Sequence, residues 1–298
     1  MLDYASLAAI AAVVREGSFE RAARALNVTP SAVSQRVKQL EERLGSVLII
    51  RGQPCTATDA GRRLCSHVEQ VGLLEQELRG ALPGLRPHGV DDDRITVRVA
   101  VNADSLDTWF IEAAAEFTAH ADALVDVSLD DQENTVDWLR SGEVLAAVTA
   151  HAQPVHGCNS IALGRLSYLA LASPKLVTKY FSNGVTATTL AKAPCLRFNR
   201  KDQLQLQWVR RVCRREVETP THWLPATQAF TNACLAGIGW GMVPESLARE
   251  HLKSGTLVEL VPGRTLSVPL YWQHTRLQVP VLGHLTRAVV KAARTGMR

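Results

Sequence analysis

Apolar side chains recur every three or four positions in three segments of the first 45 residues, which predicts three short helices. Asp3, Ser18 and Thr29 precede these segments and suit N-caps, while Gly17 and Gly45 supply the stops after the first and third. The face of the third helix that we expect to be buried consists of Val33, Val37, Leu40 and Leu44.

The second and third segments are separated only by a short turn at 27–28, which is the spacing of a helix-turn-helix. The third helix also has a polar face. Hydroxyl and amide groups can bond base edges or phosphates, and Arg or Lys neutralises phosphate charge. The outward polar residues are Ser31, Ser34, Gln35, Arg36 and Lys38. A solvated surface helix has a similar face, so this pattern alone leaves both interpretations open.

The next stretch, "SVLIIRGQPCTATDAG", predicts two short strands and a tight loop, as in the wing of a winged helix. Arg51 would then reach a flanking phosphate or the minor groove. Thr58 caps a predicted helix of about 59–80 whose apolar residues have near-heptad spacing, which favours a homodimer through residues 58–80. Prolines and glycines in 81–93 indicate a hinge.

From residue 94 the pattern changes to strands that alternate with helices, which predicts a mainly parallel sheet covered by helices. A chain crossover near 160–170 and a later return would make two lobes with a cleft between them. The predicted fold class is therefore α/β: a winged helix-turn-helix over 1–57, a linker helix over 58–80, a hinge over 81–93, and a two-lobed α/β region over 94–298 that resembles periplasmic binding proteins.

Composition narrows the function classes. The chain is 46% hydrophobic and 21% charged, has no long uncharged apolar run and lacks a basic secretory n-region, so we expect a cytoplasmic protein without a membrane partner. Six scattered cysteines without a C-x-x-C pair predict no metal site. Between Ser18 and Arg63 there are eight Arg or Lys against four Asp or Glu, which is consistent with binding nucleic acid.

The segment "GSFERAARALNVTPSAVSQRVKQLEERLGSVLIIR" resembles the N-terminal signature of LysR-type transcriptional regulators, with its A-A-x-x-L, S-A-V-S and L-E-x-x-L-G elements. The linker helix and the two-lobed region match as well, so the resemblance covers essentially the whole chain. "VNADSLDTWF", "GEVLAAVT", "GIGWGMVPE" and "PLYWQ" further resemble the ArgP/LysG (IciA-like) subgroup, which senses basic amino acids and activates genes for lysine or arginine export.

The resemblance implies a winged-helix dimer that pairs into a homotetramer, binds double-stranded promoter DNA, works with RNA polymerase, and alters the DNA bend when a small-molecule effector enters the cleft. It implies no other cofactor. It places the third helix in the major groove, where Gln35 would pair with adenine N6 and N7. The DNA-binding set carried over to this sequence is Thr29, Ser31, Ser34, Gln35, Arg36, Lys38 and Arg51.

For the effector, the strand "VAVN" leads directly into "ADS", so backbone N–H groups of 103–105 and the Ser105 hydroxyl predict a carboxylate site at a helix N-terminus. A cationic side chain needs carboxylates instead. The candidate effector residues are Asn102, Ala103, Asp104, Ser105, Asp130, Asp131, Glu133 and Thr149 in the first lobe and Phe198, Asp202, Thr227 and Trp240 in the second. Two alternatives stay open: the acid cluster is a solvated loop, and Trp240 belongs to the core.

Rival functions lack their motifs. The chain has no G-x-S-x-G elbow, P-loop, metal-ligand cluster or G-x-G-x-x-G after the first strand of its α/β region, so we do not expect an enzyme. A solute-binding protein would need an export signal and would leave the first 80 residues unexplained. Among regulators, one that senses another small molecule, or represses its target, remains the alternative.

Overall fold

The computed structural model describes residues 3–82, 94–130 and 135–297. Residues 83–93 of the predicted hinge lie outside this part of the chain. No described helix is long and apolar enough to cross a membrane.

The N-terminal helices are α1 (Tyr4–Glu16), α2 (Phe19–Ala25) and α3 (Pro30–Leu44). Their predicted N-caps are present: a side-chain oxygen of Asp3, Ser18 and Thr29 accepts a backbone N–H of the following turn. Val33, Val37 and Leu40 are buried in the cluster that joins the three helices. The expectation for Leu44 was wrong: it is 47% exposed, because the last turn of α3 extends past that cluster.

The wing consists of β1 (Ile49–Ile50) and β2 (Thr56–Ala57), which pair antiparallel. It is fixed at both sides. The Glu41 carboxylate accepts hydrogen bonds from the backbone N–H of Leu48 at 2.7 Å and of Ile49 at 3.2 Å. At the other side, the Cys55 N–H donates to the carbonyl of Gly17 at 2.9 Å. Gly17 has a φ of 67°, and an added Cβ would meet Pro54 at 2.8 Å, so a side chain is excluded there.

The long helix α4 (Asp59–Ala81) contacts two parts of the chain. Leu64 and Val68 pack against the N-terminal cluster, whereas Leu73 is buried in the core of the following region. An ion pair between Arg98 and Glu69 joins α4 to the first strand of that region. The predicted apolar stripe is therefore divided: its later members, Leu74 and Leu78, are 44% and 51% exposed.

The remaining chain alternates strands and helices. The strands are β3 (Ile95–Asn102), β4 (Ala123–Asp130), β5 (Ala146–Thr149), β6 (Cys158–Ala172), β7 (Cys195–Arg197), β8 (Thr221–Trp223), β9 (Gly241–Pro244), β10 (Val258–Glu259) and β11 (Leu266–Thr275). The helices are α5 (Ala103–Ser105), a π-helical turn (Leu106–Phe110), α6 (Ile111–His120), α7 (Thr135–Ser141), α8 (Pro174–Tyr180), α9 (Ala187–Leu190), α10 (Leu204–Cys213), α11 (Thr227–Leu235), α12 (Glu245–Lys253) and α13 (Pro280–Gly296).

The strands form a mixed sheet in the order β10-β6-β11-β5-β3-β4, with β9 also paired to β6. Among the described residues, two pairings in this sheet are parallel, β3 with β4 and β3 with β5. The expectation of a mainly parallel sheet was therefore wrong, because two long strands, β6 and β11, run antiparallel to each other through both lobes. Their register shifts between Leu270 and Tyr271. The predicted fold class, a winged helix followed by a two-lobed α/β region, is confirmed.

Candidate functional site

The outer face of α3 carries the polar side chains predicted to meet DNA. Ser31, Gln35 and Lys38 are exposed, while Ser34 and Arg36 are half-buried. Thr29 differs from these because its hydroxyl already caps the helix, accepting from the Ala32 N–H at 3.2 Å. The face can therefore offer hydroxyl, amide and cationic groups to a duplex without unfolding any part of the helix.

Two of the predicted DNA-binding cations have partners on the protein. The Lys38 ammonium lies 3.6 Å from the Glu42 carboxylate one turn later, in an exposed pair that solvent screens. The Arg51 guanidinium lies over the Phe19 ring, 5.2 Å from its centroid. This cation–π contact orients Arg51 at the wing and leaves its charge accessible, since the residue is exposed.

A cavity of about 200 Å³ lies between the two lobes of the α/β region. It is lined by Ala103, Asp104, Ala150, Phe198, Lys201, Asp202, Gln203, Leu204, Gln205, Gln207, Thr227, Phe230, Met242, Ser267, Val268 and Pro269. An apolar cavity of roughly 150 Å³ can hold benzene, so this larger one has room for a small organic molecule of the size class of a free amino acid.

Asp104 connects the lobes at this cavity. Its carboxylate accepts hydrogen bonds from the Tyr168 hydroxyl at 2.6 Å and from the Thr227 hydroxyl at 2.7 Å. Burial raises the pKa of Asp104 to about 6, the two hydrogen bonds oppose that rise, and the nearby carboxylates of Asp202 and Asp107 add to it. Asp104 as a whole residue is half-buried. The site thus holds a carboxylate that lacks a cationic partner among the contacts that set its pKa.

Asp202 supplies a second buried carboxylate. It precedes α10 and accepts from the backbone N–H groups of Phe198 and Leu204, each at 3.0 Å. Burial nevertheless raises its pKa. The Asp202 carboxylate in turn adds to the rise in the pKa of Asp104, so a cation bound in this enclosed space would offset both the burial of the two carboxylates and their repulsion.

Of the predicted effector residues, the fold brings Ala103, Asp104, Phe198, Asp202 and Thr227 to the cavity lining. Four others lie elsewhere: Asn102, Ser105, Thr149 and Trp240 are buried and do not line it. Trp240 packs against Trp208 with ring centroids 5.3 Å apart, as the core interpretation expected. Asp131 and Glu133, as well as the Asp130 side chain, lie outside the described part of the structure.

Sequence reasoning missed several lining residues, above all Lys201, Gln205 and Ser267. Lys201 and Gln205 flank Asp202 in the sequence, so the α10 start carried a usable signal: charged and polar residues alternating with leucine in "KDQLQLQ". No sequence signal marks Ser267, because this end of β11 is brought to the cavity by its long-range pairing with β6. Among the described residues, no group of three or more His, Cys, Asp or Glu side chains is arranged to hold a metal ion.

Comparison with known proteins covers both regions. Residues 4–62 match the bacterial regulatory helix-turn-helix family of the lysR type, and residues 91–294 match the LysR substrate binding domain. The transcriptional regulator LysG of Mycobacterium tuberculosis is 45% identical over 296 residues, which is 99% of this chain and 95% of the relative.

Two solved structures agree along the full length. The crystal structure of ArgP from Mycobacterium tuberculosis superposes with a TM-score of 0.86 at 44% identity, covering 100% of this chain and 99% of the other. Full-length LysG from Corynebacterium glutamicum with bound effector Arg gives a TM-score of 0.76 at 38% identity, covering 100% of both chains. With two family matches that together span most of the sequence, the chain belongs to the LysR-type transcriptional regulators.

Proposed function

We propose that this regulator binds a basic amino acid, lysine or arginine, in the cavity between its lobes and thereby changes its action on promoter DNA. The observation that carries the proposal is the pair of buried carboxylates, Asp104 and Asp202, whose pKa values are both raised. A cation would relieve the cost of keeping them ionised. The LysG structure with bound Arg supports the same ligand class.

Binding calorimetry tests the effector class directly. L-lysine and L-arginine should bind, whereas L-norleucine, which has the lysine chain without the terminal amine, should bind at least about tenfold more weakly because it leaves the carboxylates unpaired. Equal affinities for lysine and norleucine would contradict the proposal. They would favour the alternative, a LysR-type regulator of a different effector.

For DNA, the proposal is that α3 enters the major groove, with Gln35 on a base edge and Ser31, Ser34, Arg36 and Lys38 on phosphates or neighbouring edges. Thr29 would contribute at the helix start, and Arg51 would hold a phosphate beside the wing. Exposure of Gln35 and Lys38 supports this role. The domain limits 1–57, 58–80, 81–93 and 94–298 remain part of the proposal.

A binding site selected from random duplexes would test the DNA proposal. Gln35→Ala should lose about ten- to a hundredfold in affinity and accept more bases at one position, since a bidentate amide–adenine pair is lost. Gln153→Ala, in the distant α/β region, serves as a matched control. Unchanged base preference in Gln35→Ala would remove Gln35 from base recognition.

We further propose a homodimer through residues 58–80, pairing of dimers into a homotetramer, and activation of a basic-amino-acid exporter gene together with RNA polymerase in the cytoplasm. The exposed leucines of α4 support the dimer: Leu74 and Leu78 present apolar surface that a second α4 would cover. Light scattering of Leu78→Asp should give a smaller species than the wild type. A reporter fused to the exporter promoter should rise with lysine, and a fall would indicate repression.

A further inference from the structure

Gln205 is a buried glutamine at the cavity whose side chain has no hydrogen-bond partner. It lies in the first turn of α10, is 2% exposed and lines the cavity. Neither its Nε2 nor its Oε1 makes a hydrogen bond with the described residues. Its amide acts on the neighbouring Asp202 carboxylate as a hydrogen-bond donor does and lowers the pKa of that group, but the two side chains do not reach the distance and angle of a formed hydrogen bond. Burying an amide without partners is costly, so this position requires a reason beyond packing.

A second buried glutamine shows how this fold satisfies an amide that has only a structural role. Gln273 is fully buried on β11. Its Oε1 accepts from the Val155 N–H at 2.9 Å, and its Nε2 donates to the carbonyls of His151 at 2.8 Å and Gln153 at 3.0 Å. Every polar atom of Gln273 is used, whereas Gln205 keeps both a donor and an acceptor for a group that enters the cavity.

The chemistry of an amide selects which part of a basic amino acid fits it. The α-carbon of a free amino acid carries a carboxylate that only accepts and an ammonium that only donates, side by side. An amide offers one NH₂ donor and one carbonyl acceptor, so it can bond both groups at once. The distal ammonium of lysine or guanidinium of arginine has donors only and would leave Nε2 unpaired.

Charge around the cavity follows the same division. Lys201 and Asp202 lie beside Gln205 in the sequence and also line the cavity, so this end carries both signs of charge. At Asp104, by contrast, the groups that act on the carboxylate are the hydroxyls of Tyr168 and Thr227 and further acids, with no cation among them. A zwitterionic head therefore matches the α10 end, and a lone positive charge matches Asp104.

We infer that Gln205 recognises the zwitterionic head of the effector, with Nε2 donating to the α-carboxylate and Oε1 accepting from the α-ammonium, while Asp104 receives the distal cation. This rests on the proposed function, since it assumes a basic amino acid in the cavity. Gln205 is then a specificity residue for free amino acids: it should not discriminate lysine from arginine, but it should discriminate either from an amine that lacks the α-carboxylate.

The test is calorimetry on the full-length protein with four probes: L-lysine, L-arginine, 1,5-diaminopentane, which is lysine without its carboxylate, and 6-aminohexanoate, which is lysine without its α-amine. Gln205→Met removes both hydrogen-bonding groups at similar size. It should weaken lysine and arginine equally, by about tenfold or more, because both contacts to the head are lost, and it should weaken 1,5-diaminopentane by less, because that probe has the ammonium contact alone to lose. Binding of 6-aminohexanoate should fall by less than binding of lysine, because only the carboxylate contact is lost.

Gln205→Glu is the second variant. It keeps an acceptor for the α-ammonium but sets a carboxylate against the α-carboxylate, so lysine should weaken further than in Gln205→Met while 1,5-diaminopentane does not weaken. Gln228→Met, an exposed glutamine outside the cavity lining, is the matched control and should bind all four probes like wild type. The melting temperature of each variant separates lost binding from lost folding.

Two results would overturn the inference. If Gln205→Met keeps the wild-type ratio of lysine to 1,5-diaminopentane affinity, Gln205 is hydrated or structural and does not bind the α-carboxylate of the effector. If Gln205→Met changes the ratio of lysine to arginine affinity, the residue faces the distal end instead. Failure of the wild type to bind either basic amino acid is a separate result, which contradicts the proposed function rather than the orientation.

Discussion

The two candidate sites of this chain place their chemistry in opposite ways. On α3, five polar side chains between Ser31 and Lys38 lie on the surface of one helix, and their apolar neighbours hold that helix in a small cluster. The cavity is instead lined by residues from Ala103 to Pro269, contributed by both lobes. A surface site can thus be built by one short segment, whereas an enclosed one depends on how the whole sheet is connected.

The energetic consequences differ as well. A side chain on the exposed face of α3 remains solvated until DNA replaces the water, so its presence costs the fold little. Asp104 and Gln205 are polar groups held inside the protein, and the raised pKa of Asp104 reflects the cost of burying its charge. Substitutions on the DNA-binding face should therefore change DNA affinity but hardly change protein stability. Substitutions at the cavity should change both ligand affinity and protein stability.

The largest expected effect tests whether the two regions fold separately. Leu40→Ala removes a fully buried side chain from the N-terminal cluster and should lower the stability of that domain by about 3 kcal/mol. All six tryptophans lie beyond residue 100, so tryptophan fluorescence reports unfolding of the α/β region alone, and far-ultraviolet circular dichroism reports both. The fluorescence midpoint should stay unchanged while an earlier transition develops in the dichroism.

Leu44→Ala is the matched control, because the same residue type on the same helix is 47% exposed and should cost less than about 0.5 kcal/mol. A common shift of both signals in Leu40→Ala would show one cooperative unit. In that case the contacts of α4 with both regions would be stronger than their separate clusters indicate.

The second prediction concerns charge at the cavity. Asp104→Asn keeps the size of the side chain and an acceptor for the Tyr168 hydroxyl, but it removes the negative charge. Lysine affinity should fall about thirtyfold, or about 2 kcal/mol, while weak norleucine binding should not fall. Asp107→Asn is the control: this carboxylate in the same turn is exposed, and among the described residues it accepts one hydrogen bond, from the Gln228 N–H at 3.3 Å. A similar loss in both variants would contradict a specific role for Asp104.

These contrasts explain what the sequence predicts well. The caps at Asp3, Ser18 and Thr29, the helical periodicity and the turn are local features, so the winged helix could be predicted nearly residue by residue. Leu44 was misassigned because periodicity identifies the face of a helix but not where the neighbouring helices end. The share of parallel strands in the sheet was overestimated for a similar reason. A strand pattern in the sequence does not indicate whether the strand runs parallel or antiparallel to its neighbours, and β6 and β11 run antiparallel through both lobes.

The cavity was only partly predictable. Asp104 was predicted because a basic ligand requires carboxylates, and Asp202 because the second lobe would close over the ligand; both residues line the space between the lobes. Thr149 was included because it ends a strand, and Trp240 because the second lobe would close over the ligand, yet both residues are buried and neither lines the cavity. Gln205 was missed although "KDQLQLQ" alternates polar residues with leucine, because its burial and its lack of hydrogen-bond partners are visible only in the structure.

A third prediction uses pH. Burial raises the pKa of Asp104 to about 6, and the groups facing it include Tyr168, Asp202 and Asp107. Since the folded pKa lies above the ordinary value of 3.8, protonation of Asp104 stabilises the ligand-free protein below about pH 4, and this contribution is lost as the pH rises through 6. A cationic effector requires the ionised form and should release protons on binding.

Lysine affinity should therefore be constant above about pH 7 and fall by about fivefold between pH 6 and pH 5 as Asp104 becomes protonated, since lysine itself stays cationic throughout this range. Asp202 shifts in the same direction, so the apparent pKa belongs to the pair. Calorimetry in two buffers of different ionisation enthalpy measures the released protons. Asp104→Asn should flatten the profile, and an unchanged profile in that variant would assign the titration to another group.

The smallest effect returns to the surface of α3. Lys38 makes only an exposed pair with Glu42 at 3.6 Å, so Lys38→Ala should change protein stability by less than about 0.5 kcal/mol. If Lys38 neutralises one phosphate, its loss should make the plot of log DNA affinity against log salt concentration shallower by about 0.9 for each α3 that is bound, without any change in base preference.

The control is Lys192→Ala, which removes an exposed lysine of the α/β region and should leave the slope unchanged. If the effector changes the action on DNA without moving α3 on its phosphates, the slope change should be the same with and without lysine. A slope that changes only when lysine is bound would mean that the effector moves α3 relative to the phosphates, and the two sites would then be coupled through the position of the helix itself.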